Sequence, residues 1–86
     1  MAHEPEQRNL GNQPLDAILT QHGLTHHHVV AASSAPLTHK TIQRARKGRW
    51  LKPAMKLRVT TAVNAALLAA DPSSTADLRV EDLFNY

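Results

Sequence analysis

Prolines and glycines cut this chain into helical lengths too short to stand alone. Pro14 suits a first helical position, where its missing N–H costs nothing, and Gly23 and Gly48 suit left-handed helix stops. Pro36 ends one segment, Pro53 opens another, and Asp71-Pro72-Ser73-Ser74 closes it. Between these marks the apolar residues recur at helical spacing. A first helix starts with Asn12 or Gln13 as N-cap and carries Leu15, Ile18 and Leu19. A second is capped by Thr25, with Leu24 and Val29 as a hydrophobic staple, His26, His27 and His28 in its first turn, and Val29 to Ala32 toward the core. A third runs from the Thr38 cap to Gly48, with a narrow apolar side of Leu37, Ile42 and Ala45. A fourth starts at Pro53 and runs for about 17 residues, with Met55, Val59, Ala62, Val63, Ala66 and Leu67 inward and Lys56, Thr60 and Asn64 outward. Short amphipathic helices persist only by packing on one another, so the expected fold is all-α with four helices in one domain.

The size agrees with that expectation. At 86 residues, 42% hydrophobic but only 3% aromatic, the chain has material for one thin, alanine-rich core. Residues 1–12 are polar, contain Pro5 and Gly11, and read as a flexible N-terminal arm; 13–70 read as the domain. Residues 71–86 form a C-terminal tail in which Leu-Arg-Val alternates and Glu-Asp-Leu-Phe-Asn-Tyr allows one helical turn. Leu83, Phe84 and Tyr86 are more apolar than an idle tail needs, which points either to a homodimer contact or to a cap on the domain's own core.

Charge is distributed unevenly. All seven acids lie at Glu4, Glu6 and Asp16 or at Asp71, Asp77, Glu81 and Asp82. Eight of the ten Lys and Arg fall between Lys40 and Arg58, a stretch without a single acid. A solvated charged face normally mixes both signs. A basic middle between acidic ends is instead the electrostatic footprint of nucleic-acid binding.

The run Gly-Leu-Thr-His-His-His-Val-Val at 23–30, then Leu-Thr-His-Lys-Thr-Ile-Gln-Arg-Ala-Arg-Lys-Gly-Arg at 37–49, then Pro-Ala-Met-Lys-Leu from 53, resembles the phage-repressor (Cro-like) helix-turn-helix family. It departs from that family's pattern by a longer turn at Ala35-Pro36 and by Ser34 where a glycine is common. The resemblance implies a lambda-repressor-like, four-helix domain that binds double-stranded DNA as a small transcriptional regulator, with the helix at 38–47 in the major groove. It also implies that His39, Lys40, Gln43 and Arg44 read base edges, that His26 touches phosphate, and that Lys47 and Arg49 grip the backbone. Arg46 and Lys52 complete the phosphate-binding candidates. The chemistry is compatible: Lys40 and Arg44 can donate to guanine O6 and N7, and Gln43 can pair with adenine N6 and N7. RNA or ribosome-associated binding through the same face, and a protein-interaction adaptor, remain the alternatives.

Other classes fit less well. The middle of the chain has no carboxylate to act as base or ligand, so no enzyme is expected, and Ser33 and Ser34 read as turn formers. Adjacent histidines project about 100° apart on a helix, so His26, His27 and His28 cannot share one metal; no metal or cofactor is expected. Trp50 either packs the joint between two helices or stacks on a base. With no cysteine, no membrane-length apolar run and no signal-peptide pattern, a cytoplasmic location is expected.

Overall fold

The computed structural model describes residues 10–86; the expected arm at 1–9 lies outside the described residues. It is all-helical, with helices α1 (Pro14–Gln21), α2 (His26–Ala32), α3 (His39–Lys47), α4 (Pro53–Ala70) and α5 (Val80–Leu83), and no strand among the described residues. None of these helices is long and apolar enough to cross a membrane.

Local chemistry sets the ends of each helix. Pro14 opens α1, and beyond its C-cap His22 the chain turns through Gly23 at φ +67°, so that Leu24 N donates to Leu19 O at 2.8 Å. Thr25 caps α2 reciprocally: His28 N donates to Thr25 Oγ1, and Thr25 N donates to His28 Nδ1 at 2.9 Å. Here histidine does the work usually given to glutamate. Thr38 Oγ1 accepts from Thr41 N at the start of α3. Ser33 Oγ ties the connection between α2 and α3, donating to Ala35 O and accepting from Ala35 N.

One core joins the helices. Leu15 and Leu19 of α1, Val29 of α2, Ile42 and Ala45 of α3, and Val59 and Val63 of α4 are all fully buried. α2 presents less to this core than its sequence suggests: Ala31 is exposed, and Val30 and Ala32 are half-buried. α4 presents more. Lys56, Thr60 and Asn64, expected on its outer side, form a second inward face that receives the C-terminal tail. Asn64 exchanges two hydrogen bonds with the main chain of Leu78, Lys56 Nζ donates to the main-chain oxygen of Tyr86 at 2.7 Å, and buried Thr60 returns its hydroxyl to Lys56 O.

The tail is therefore part of the domain. Leu83 is fully buried and Phe84 is 3% exposed, so these two offer no apolar surface to a second copy, contrary to the dimer expectation. Tyr86, the third residue of that expected contact, turns its hydroxyl back onto the α3–α4 loop. The large apolar residues that remain exposed are Leu10, Leu57 and Leu68.

The end of the expected arm is also fixed. Leu10 N donates to Gly48 O and Gln13 N to Arg46 O, laying residues 10–13 across the C-terminal end of α3. Gln13 is 2% exposed, and its side chain donates to Gly11 O and accepts from Asn85 N, so one buried amide joins both ends of the described chain. Gly48 sits at φ +89° against Gly11, and a Cβ there would run into the Gly11 carbonyl.

Candidate nucleic-acid interface

Burying Ile42 and Ala45 fixes how α3 is rolled. Residues offset from that stripe must face outward, and Lys40, Gln43, Arg44 and Lys47 are exposed. The loop after Gly48 adds Arg49 and Lys52, also exposed. Among the described residues none of these six side chains has a hydrogen-bond or ion-pair partner in the protein. Lys40, Arg44, Lys47, Arg49 and Lys52 thus form a free cationic strip along α3 and the loop that follows.

The other cations of the basic middle are occupied. Arg46 Nε donates to Asp16 Oδ1 at 2.7 Å, the one ion pair among the described residues. Its Nη2 donates to Thr20 Oγ1 at 3.1 Å, and Nη1 lies 3.5 Å from His26 Nε2. Arg58 donates to Pro36 O, and Lys56 holds Tyr86. Arg46 is therefore withdrawn from the phosphate-binding set: it fastens α3 to α1 and α2. The acid that claims it is thirty positions away in sequence, so the α3 pattern alone gives no sign of the pairing.

Two histidines also differ from expectation. His26 is half-buried with its Nε2 toward Arg46, so it faces the interior network and not an open phosphate position. Its pKa is lowered from 6.5, first by burial, then by the positive charges of Arg46, His39 and Lys47, with Asp16 acting in the opposite sense. His39 has its Nε2 3.3 Å from His27 Nδ1, with ring centroids 4.7 Å apart. That edge contact joins the first turns of α2 and α3 and engages one ring nitrogen of His39, a base-reading candidate. His27, in the first turn of α2, is the partner.

A cleft of about 470 Å³ opens where the strip turns from α3 into α4, lined by Arg44, Arg49, Trp50, Leu51, Lys52 and Met55. Leu51 packs against the core, whereas Trp50 is half-buried outside it. The loop is held from the far end of the chain. Leu51 N donates to the Tyr86 hydroxyl at 2.9 Å, and that hydroxyl donates to Arg49 O at 3.0 Å. Burial raises the Tyr86 pKa, against the opposing effect of the Leu51 N–H. The Lys56 ammonium lies 4.3 Å from the centre of the Tyr86 ring.

Compared with protein-family models, with curated proteins and with solved structures, the chain matches none.

Proposed function

We propose that this chain is a helix-turn-helix domain that binds double-stranded DNA and acts as a small transcriptional regulator without catalysis. α2, the connection from Ser33 to Thr38, and α3 form the motif; α3 enters the major groove while α2 crosses the backbone. An α-helix of about 10–12 Å diameter fits a groove about 12 Å wide. The observation that carries the reading is the strip of five cations, Lys40, Arg44, Lys47, Arg49 and Lys52, free of any acid and presented by α3 and its following loop. Such a surface repels itself until a polyanion covers it.

Within that reading Lys40 and Arg44 donate to guanine edges and Gln43 pairs with adenine. Lys47, Arg49 and Lys52 hold phosphates and set the register. His39, joined to His27, positions the start of α3, and Arg46 supports it from behind. Three phosphate contacts give a slope of log affinity against log salt of about −2.7.

The test is a binding titration of the full chain against duplex DNA, single-stranded DNA and structured RNA over a salt series. The reading expects duplex to bind best, with that steep slope. Preference for structured RNA transfers the same face to RNA recognition, and absence of all three interactions leaves a protein-interaction adaptor.

A further inference from the structure

We propose that the cleft between α3 and α4 holds one unpaired nucleotide, its base on the Trp50 indole and its phosphate among Arg44, Arg49 and Lys52. The inference rests on reading this face as a nucleic-acid surface and adds a second ligand state to it. The core does not account for Trp50: its neighbour Leu51 packs inward while the indole stays outside, and among the described residues its N–H donates to no acceptor. The Tyr86 hydroxyl bonds the main chain on both sides of Trp50, at Leu51 N and Arg49 O, so the loop that carries the indole is tethered at the mouth of the cleft.

The rest of the cleft selects its occupant. Its volume, about 470 Å³, falls within the range of small-molecule sites. Met55 supplies a polarisable apolar surface besides the indole, and three cations stand at the cleft with no carboxylate beside them. An inorganic anion has no use for the indole and the thioether, and an apolar peptide would bury unpaired cations. A planar base carrying a phosphate satisfies both halves, as in single-strand binders that combine aromatic platforms with a basic groove. Such a nucleotide is available either as a free monophosphate or as an unpaired residue at a strand end.

Trp50 is the only tryptophan, so its fluorescence reports the cleft directly. The full chain is titrated with AMP, ribose 5-phosphate and adenosine, and separately with a blunt duplex and the same duplex bearing one unpaired 3′ nucleotide. Saturable quenching by AMP, with ribose 5-phosphate at least about tenfold weaker, identifies the free nucleotide as a ligand. About tenfold tighter binding of the overhang duplex, kept in Trp50→Phe and lost in Trp50→Leu, identifies the strand end; one base–aromatic stack supports a factor of that size. Equal responses to AMP and ribose 5-phosphate with no overhang preference would overturn the proposal and leave a plain phosphate seat. Silence in every arm would overturn it too. Binding of the blunt duplex tests the earlier reading by itself, so the two can fail separately.

Discussion

Arg46 and Asp16 meet at 2.7 Å across thirty positions of sequence, and this pair divides the basic middle of the chain into two populations. The same guanidinium reaches Thr20 of α1 and lies beside His26 of α2, so it locks three helices at one point. Removing its acid should therefore lower stability without weakening DNA binding. Asp16→Ala is expected to cost about 1–2 kcal/mol, a charge-assisted bond discounted for partial exposure. A denaturation midpoint measures the first part, and duplex affinity, unchanged or raised, the second. An unchanged midpoint would show that the pair holds nothing together.

The His26 environment makes a pH prediction with a definite sign. Its folded pKa lies below the ordinary 6.5, so the unfolded chain binds the extra proton first. The stability that comes from keeping His26 neutral is fully present above about 6.5 and is lost as pH falls through the lower, folded pKa. Thermal midpoints measured from pH 7.5 downward should fall more steeply in the wild type than in His26→Gln. Parallel curves would remove His26 as the source.

Gly48 admits no side chain. Gly48→Ala must place an L-residue at φ +89° and push its Cβ into the Gly11 backbone. The expected cost is about 1–3 kcal/mol, with residues 10–13 released from α3 and faster amide exchange at Leu10 and Gln13, whose N–H groups bond to Gly48 O and Arg46 O. A variant of native stability would contradict the close approach.

The tail should behave as core. Phe84→Ala removes a side chain that is 3% exposed and is expected to cost about 3–5 kcal/mol. Deleting residues 77–86 also removes Leu83 and the Asn85 link to Gln13, and it should abolish cooperative unfolding. A deleted chain that melts cooperatively as a monomer would return the tail to an accessory role.

Much of this architecture is legible in the sequence because its signals are local. Pro14, Gly23, Thr25, Thr38, Gly48 and Pro53 each act on the residues beside them, and they mark helix ends where the structure has them. The exposed side of α3 follows likewise from the spacing of Ile42 and Ala45. What could not be read depends on distance. Nothing near Arg46 announces Asp16, nothing near Trp50 announces Tyr86, and Thr60 and Asn64 look outward until the tail folds over them. The family pattern assigns roles to His26 and His39 by position, whereas their ring contacts come from how α2 lies against α3.

The account stands most directly on Arg44, an exposed cation that both the groove and the cleft readings require to be free. The decisive measurement compares Arg44→Ala with wild type on the preferred duplex and on an unrelated duplex, across salt. The account predicts a loss of about 1–3 kcal/mol on the preferred duplex, a smaller loss on the unrelated one, and a relaxed sequence preference. Equal losses on both would move Arg44 to the phosphate backbone. No loss on either would contradict the claim that α3 presents this face to DNA.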